Sequence, residues 1–158
     1  EMKAKELMSD ASFGRTHLVT MQYPMGIPTV EEIMHYRNDD PKGKPVVGFL
    51  DHLCHPVSLM LYLLGWPKTL SYARGSSGAG VATFSFATGE ICALHLAHGA
   101  GWNGGLERTW IVGDKNRSIV VENNIRVEYR RDPKLGYGDG KARSSSDEVP
   151  DAIICTAH

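Results

Sequence analysis

The second half of the chain is a series of short segments in which apolar and polar residues alternate. Alternation with a period of two is typical of strands that bury one face of a sheet. Turn-forming residues separate several segments, as in Ala87-Thr88-Gly89 and Asn123-Asn124, and such short turns join antiparallel neighbours. The predicted strands are Thr69–Arg74, Gly80–Ala87, Glu90–Ala97, Arg108–Val112, Ser118–Glu122 and Ile125–Arg130.

The first half of the chain combines helical periodicity with one further strand. A helix is predicted over Lys3–Met8 and a strand over His17–Tyr23. A second helix is expected to begin after Thr29, because Thr29 and Glu32 have the spacing of a capping box. A third helix is predicted to start near Pro56 in an apolar run. Together these elements predict an α+β fold in which one large, mostly antiparallel open sheet has helices on one face.

Length and pattern indicate a single domain. A chain of 158 residues is long enough to bury a core of its own. Residues 1–131 are well patterned, whereas residues 132–158 are rich in glycine, serine and charge. That second range is therefore expected to form a loop-rich tail.

Charge and cysteine content exclude several classes of partner. The net charge of −1 predicts no nucleic-acid partner and no attraction to an anionic membrane surface. No apolar run was expected to approach the roughly 18 to 20 residues of a membrane-spanning helix. The three cysteines, Cys54, Cys92 and Cys155, have no regular spacing. This pattern favours a reducing compartment, the cytoplasm, over a disulfide framework.

The segment FLDHLCHP contains the densest group of reactive side chains. Asp51 and His55 are four residues apart, which places them on one side of a helix. A carboxylate beside an imidazole suits general acid–base chemistry near neutral pH. Spacing alone also allows a helix cap with a half-buried histidine, or a metal site. The metal site would use His52, Cys54, His55 and Cys92, but its ligand spacing is crowded for zinc.

Three segments, in order, resemble a known family. They are KELMSDASFGRTHLVTMQYP, FLDHLCHPVSLMLYLLGWP, and the hairpins TFSFATGEICALHLA and ERTWIVGDKNRSIVVENN. Over residues 3–130 the chain resembles the C-terminal domain of the glucose–fructose oxidoreductase / inositol dehydrogenase / rhizopine-catabolism (Gfo/Idh/MocA) family. These enzymes are nicotinamide-dependent oxidoreductases. Asp51 and His55 match the family's D-x-x-x-H motif.

The resemblance implies a substrate-binding and oligomerisation domain. His55 would exchange the hydroxyl proton of a polyhydroxy substrate, such as a sugar or cyclitol, and Asp51 would position the histidine or the substrate. NAD or NADP would be bound mainly by an N-terminal domain that the 158 residues do not contain. Homo-oligomers would form through the open face of the sheet. The isolated chain is expected to be inactive, with no cofactor-binding residues and no metal ligands.

The resemblance also suggests substrate-binding residues at the ends of two strands. They are Tyr23, where strand-end packing is the alternative, His98, where exposure to solvent is the alternative, and Trp102 with Asn103 in the loop GAGWNGG. Glycine-rich loops allow close backbone approach to a ligand.

The chain also departs from the family. The family's Glu-Lys-Pro motif is absent from the 158 residues. The glycine-rich segments SSGAG and GAGWNGG also lack the strand–turn–helix context of a dinucleotide-binding loop. A non-catalytic ligand-sensing or regulatory relative and a small metalloprotein therefore remain alternatives.

Overall fold

The computed structural model describes residues 2–97 and 105–130, and the backbone of 152–156. The described residues form one eight-stranded sheet with the strand order β2-β3-β4-β1-β5-β6-β7-β8. The strands are β1 Leu18–Tyr23, β2 Thr69–Arg74, β3 Gly80–Ser85, β4 Ile91–Leu96, β5 Arg108–Val112, β6 Ser118–Glu122, β7 Arg126–Arg130 and β8 Ala152–Thr156.

Strand β1 lies in the middle of the sheet, although it comes first in the chain. It pairs parallel with β4, so that Val19 lies opposite Cys92, and antiparallel with β5, so that Val19 also lies opposite Ile111. Every other pair of neighbouring strands is antiparallel. The predicted α+β fold with a mostly antiparallel open sheet is therefore confirmed.

Helices cover one face of the sheet. Helix α1, Met2–Met8, contributes Ala4 and Leu7 to a core that also includes Phe84 and Phe86. On the opposite face the side chains of Ile91 and Trp110 are exposed. The buried hydrophobic strand residues of the covered face are Val19, Met21, Ala82, Phe84, Cys92, Leu94, Leu96, Ile111, Ile119, Val121, Val127 and Tyr129.

The edge strand β8 lies in the range that was predicted to be a loop-rich tail. Its residues pair antiparallel with β7, with Arg130 opposite Ala152. The segment AIICT contains two β-branched isoleucines and suits a strand. Sequence analysis missed it because the surrounding residues carry no alternating pattern.

The start of β1 is fixed to the turn between β5 and β6 through Asp114. Its carboxylate accepts a hydrogen bond from the Arg15 backbone N–H at 2.8 Å and lies 2.7 Å from Nε2 of His17. The Arg15 hydrogen bond, followed by the one to His17, lowers the pKa of the Asp114 carboxyl below its usual range. Gly14 has a positive φ of 75°, and a Cβ there would lie 2.4 Å from Asp114 Oδ2.

Helix α2, Val30–Arg37, begins at the predicted capping box. Thr29 Oγ1 accepts from the Glu32 N–H at 3.1 Å, and Glu32 Oε2 accepts from the Thr29 N–H at 2.6 Å. A short 3-10 helix, Pro41–Gly43, follows and is capped by Asp40. The N–H of Lys42 is the main cause that lowers the pKa of the Asp40 carboxyl.

Helix α3, Lys44–Leu64, starts much earlier than predicted. The expected start at Pro56 is wrong, because Pro56 lies in the helix interior and is fully buried. A proline there removes one intrahelical hydrogen bond, the one that the carbonyl of His52 would otherwise accept. A long apolar stripe offsets this loss. Its buried and half-buried members alternate at spacings of three and four residues: Val46, Phe49, Leu53, Pro56, Met60 and Leu63.

This helix also changes one expectation about membranes. By length and composition alone, the helical segment Pro41–Leu64, 24 residues long, is apolar enough to cross a membrane. The expectation that no stretch approaches that length is therefore wrong. Core helices of soluble proteins meet the same criterion. Here Leu59, Met60 and Leu63 belong to the core against the sheet.

Candidate functional site

One side of α3 presents a row of mostly polar residues beside the end of β1. The row consists of His55, Ser58, Leu59 and Tyr62, with the i, i+3, i+4, i+7 spacing of residues that share one helix face. His55, Ser58 and Tyr62 are exposed, whereas Leu59 is buried. The helix therefore holds an imidazole and two hydroxyl groups in a line above the sheet.

These helix residues form one wall of a cavity of about 550 Å³. The other wall comes from the sheet, where Tyr23 ends β1, Glu107 precedes β5 and Asn124 lies in the turn between β6 and β7. Small-molecule sites have volumes of roughly 300 to 1,000 Å³, so the cavity is large enough for a metabolite. The cavity is lined by Tyr23, His55, Ser58, Leu59, Tyr62, Glu107 and Asn124.

The β6–β7 turn is bonded to the residue that precedes β5. Asn123 and Asn124 both have left-handed backbone conformations, with φ values of 48° and 55°, and the Ile125 N–H donates to the Glu122 carbonyl at 2.9 Å across the turn. The Asn123 side-chain oxygen accepts from the Glu107 N–H at 2.7 Å, and the Asn123 N–H donates to the Glu107 carbonyl at 2.9 Å. This pair of bonds fixes Glu107 and Asn124 beside each other in the cavity wall.

The predicted catalytic residues lie on the same helix. Asp51 is one turn before His55, is exposed and is outside the cavity lining. In the described part of the chain, no hydrogen bond joins the Asp51 and His55 side chains. The Asp51 carbonyl accepts from Cys54 Sγ at 2.8 Å. Within this chain, His55 therefore contacts the cavity directly and Asp51 lies at its edge.

The predicted substrate-binding residues have different outcomes. Tyr23 lines the cavity together with His55. His98, Trp102 and Asn103 lie outside the described residues.

The alternative metal site is not assembled. Cys92 is fully buried on the covered face of the sheet, where burial raises the pKa of its thiol to about 12, whereas His52, Cys54 and His55 are exposed. Across residues 2–97 and 105–130, no group of three or more His, Cys, Asp or Glu side chains is placed to hold a metal ion.

Four polar residues of the cavity were not predicted. Ser58 and Tyr62 are three and seven residues after His55, so helical spacing counted from His55 identifies them. Glu107 and Asn124 have no such local signal. They reach the cavity only because β5 pairs with β1 and β6 pairs with β5.

The arrangement suits a ligand that is rich in hydroxyl groups. The cavity offers three hydroxyl groups, an amide, a carboxylate and an imidazole, which together can donate and accept hydrogen bonds. The half-buried Tyr23 also offers the face of its ring, and the buried Leu59 adds apolar surface. An imidazole in such a site can transfer the proton of a bound hydroxyl group.

Comparison with known proteins gives structural matches only. No protein-family model matches the chain, and no curated protein matches its sequence. A dehydrogenase from Chromobacterium violaceum has a TM-score of 0.65 at 11% identity, over 99% of this chain and 43% of that chain. An inositol dehydrogenase homolog from Azotobacter vinelandii has a TM-score of 0.61 at 16% identity, over 98% of this chain and 38% of that chain.

A third dehydrogenase structure also matches the fold of this chain. The WlbA dehydrogenase from Bordetella pertussis has a TM-score of 0.55 at 16% identity, over 77% of this chain and 40% of that chain. This chain has the fold of a Gfo/Idh/MocA-type oxidoreductase domain. The predicted resemblance is thus confirmed for the fold. This chain spans about two fifths of the length of the structures it matches.

Proposed function

We propose that this chain is the C-terminal substrate domain of an NAD(P)-dependent oxidoreductase that acts in the cytoplasm on a sugar, a cyclitol or a related polyhydroxy compound. His55 donates or accepts the proton of the reacting hydroxyl group, and Asp51 orients His55 or the substrate. The observation that supports this proposal is the cavity in which His55 lies among hydroxyl, amide and carboxylate groups. Tyr23 binds the substrate from the opposite wall.

The ligands of the structural neighbours support this substrate class. The Azotobacter vinelandii inositol dehydrogenase homolog is complexed with NADH and myo-inositol, and the Bordetella pertussis WlbA dehydrogenase with NADH and UDP-GlcNAcA. Myo-inositol and UDP-GlcNAcA both carry hydroxyl groups; myo-inositol is uncharged, whereas UDP-GlcNAcA also carries phosphate and carboxylate groups. A cavity of about 550 Å³ accommodates a ring of monosaccharide size.

The nicotinamide cofactor would be held mainly outside these 158 residues. A dinucleotide pyrophosphate binds where a glycine-rich loop joins a strand to a helix N-terminus. Among the described residues, only the segment between β1 and α2 joins a strand to an α-helix within a few residues, and it contains a single glycine, Gly26. When bound, the cofactor supplies or accepts the hydride. The residues of this chain bind the substrate and move its hydroxyl proton.

The test of the proposal is mutagenesis in the intact gene product. We expect His55→Ala to lower kcat by about 10² or more, the usual contribution of general acid–base catalysis. The matched control is His52→Ala, on the same helix, because His52 is exposed and its Nδ1 lies 2.7 Å from the Gly48 carbonyl rather than in the cavity. Asp51→Asn should also lower kcat, with a smaller change in KM.

Two results would contradict the catalytic proposal. One is a loss of less than about threefold for His55→Ala, which is too small for an acid–base residue. The other is an equal loss for His52→Ala and His55→Ala, which would indicate a general effect on the helix. Retained ligand binding with no turnover in the unmutated protein would favour the ligand-sensing alternative.

We also propose that the open face of the sheet pairs with a second copy of the chain. A ladder of ion pairs crosses this face. Glu122 contacts Arg108 at 3.0 Å and Arg126 at 3.1 Å, and Glu128 contacts Arg126 at 2.7 Å and Arg130 at 2.6 Å. The Glu128 side chain is only 13% exposed. Charges that are already paired can be covered by a partner without leaving an unpaired charge behind.

Exposed apolar groups on the same face support this pairing. Trp110 and Ile91 are each 45% exposed, and Trp110 lies beside a cleft of about 300 Å³. Tryptophan and arginine are enriched among the residues that contribute most to protein interfaces. The face therefore has the composition of an interface rather than that of a solvated surface.

A further inference from the structure

We infer that Glu107 is a specificity-determining residue of the cavity, and that it selects uncharged or amino-bearing polyhydroxy ligands over sugar acids and sugar phosphates. This inference rests on the proposed function and narrows its substrate class. Glu107 is half-buried, lines the cavity, and is the only carboxylate among its described lining residues.

The charge of the lining residues is the first argument. Around the cavity, in the described part of the chain, the lining includes no lysine and no arginine. Carboxylate and phosphate groups are usually bound by arginine or lysine through charge-assisted hydrogen bonds. A ligand anion placed here would meet a like charge on Glu107. Hydroxyl and ammonium groups would instead find an acceptor.

The cationic side chains of Arg108 and Lys5 lie close to the cavity residues but do not line the cavity. Arg108 follows Glu107 in the chain, but successive residues of a strand alternate between faces, and Arg108 is paired with Glu122 on the open face at 3.0 Å. Lys5 lies near the cavity residue Tyr62, with its Nζ 6.0 Å from the ring centroid. That Nζ donates to the Leu63 carbonyl at 2.6 Å and does not line the cavity.

The backbone of Glu107 is fixed by hydrogen bonds. The ligand is therefore selected by the position of the carboxylate as well as by its charge. Two hydrogen bonds to Asn123, at 2.7 and 2.9 Å, fix both backbone groups of Glu107. Asn124 then lies beside Glu107 in the cavity wall. A carboxylate can accept from two donors at once, so adjacent hydroxyl groups of a ring match it well. His55 and Tyr62 face this pair from α3.

The experiment compares three probes that share one ring and differ in charge. D-glucose is neutral, D-glucuronate adds a carboxylate and D-glucosamine adds an ammonium group. Dissociation constants are measured by calorimetry on the intact gene product and on Glu107→Gln, which keeps the shape and removes the charge. Glu6→Gln is the matched control, since Glu6 is an exposed carboxylate on α1 that pairs with Lys3, away from the cavity.

We expect D-glucuronate to bind at least about fivefold more weakly than D-glucose, the effect of one like charge at a partly exposed site. Glu107→Gln should remove most of that difference and weaken D-glucosamine relative to D-glucose. Glu6→Gln should leave both ratios unchanged.

Three results would overturn the inference. In the first, D-glucuronate binds as tightly as D-glucose in the unmutated protein. In the second, Glu107→Gln changes the ratios no more than Glu6→Gln does. In the third, none of the three probes binds. If His55→Ala still lowers kcat in any of these cases, the proposed function stands and only the substrate class is wrong. If no probe binds and His55→Ala has no effect, the proposed function fails as well.

Discussion

Glu107, which precedes β5, and Asn123, which lies in the turn after β6, are joined by one side-chain and one backbone hydrogen bond. The Glu107 N–H donates to Asn123 Oδ1 at 2.7 Å, and the Asn123 N–H donates to the Glu107 carbonyl at 2.9 Å. The asparagine thus has two structural roles. Its side chain binds the neighbouring segment, and its backbone adopts a positive φ of 48°.

These two roles can be separated by substitution. Asn123→Gly removes the side-chain acceptor but tolerates the positive φ, whereas Asn123→Ala removes the acceptor and also strains the turn. We expect Asn123→Ala to lower the free energy of unfolding by about 1 kcal/mol more than Asn123→Gly, because a left-handed conformation costs a residue with a Cβ about 1 to 2 kcal/mol. Denaturant titration measures the difference. Equal losses in the two variants would contradict the assigned turn.

Two glycines near the start of α3 should respond to alanine in opposite directions. An added Cβ at Gly43 would lie 2.3 Å from the backbone nitrogen of Tyr36, whereas at Gly48 it would meet nothing within 4 Å. Gly48→Ala should stabilise the protein by about 0.5 to 1 kcal/mol, since glycine in a helix interior is unfavourable. Gly43→Ala should push α2 away from α3, at a cost of about 1 to 3 kcal/mol.

Hydrogen exchange distinguishes the two effects. Amides of α2, Val30–Arg37, should exchange faster in Gly43→Ala and at an unchanged rate in Gly48→Ala. A stabilising Gly43→Ala would contradict the close contact between Gly43 and Tyr36, and a destabilising Gly48→Ala would contradict the placement of Gly48 inside α3.

Apart from β2, whose six residues are all exposed, the predicted strands bury residues mainly on one face, and this alternation made them visible in the sequence. In β3, the buried residues Gly80, Ala82 and Phe84 alternate with half-buried ones, and the sequence shows the same period. The position of β1 could not be predicted in this way. Its parallel pairing with β4 depends on long-range contacts, and alternation within a strand does not specify its neighbours.

The helix start and four of the six polar cavity residues were missed for different reasons. Pro56 was interpreted as the first turn of α3, although the apolar stripe already begins at Val46 with spacings of three and four residues. His55 and Tyr23 were predicted as site residues, and both line the cavity. Glu107 reaches it through strand order, which no local pattern encodes. The roles of all these residues stay predictions until they are tested by mutagenesis.

Cys92 should make stability depend on pH in the alkaline range. Burial raises the pKa of its thiol from 9.0 to about 12 in the folded protein. Above pH 9 the thiol ionises in the unfolded chain but not in the folded chain. The contribution of Cys92 to the free energy of unfolding is therefore fully present below pH 9 and is lost as the pH rises toward 12. Relative to Cys92→Ala, the unmutated protein should lose up to about 1.4 kcal/mol per pH unit in this window.

The exposed Cys54 provides the control for this measurement. Denaturant titrations of Cys54→Ala at the same pH values should give a profile parallel to that of the unmutated protein. If the profile of Cys92→Ala is also parallel, the Cys92 thiol is not buried as the structure places it.

The open face of the sheet should determine the oligomeric state. Trp110 lies on this face beside the ladder of ion pairs, whereas Trp66, which is 85% exposed, follows the end of α3. Trp110→Glu would place an unpaired carboxylate in a covered interface, so we expect self-association to weaken at least about tenfold. Trp66→Glu makes the same chemical change elsewhere and should leave the association unchanged.

Sedimentation velocity at micromolar concentration measures the self-association of both variants, with circular dichroism to check that each variant is folded. A monomeric unmutated protein, or dissociation by Trp66→Glu alone, would exclude the open face as the interface.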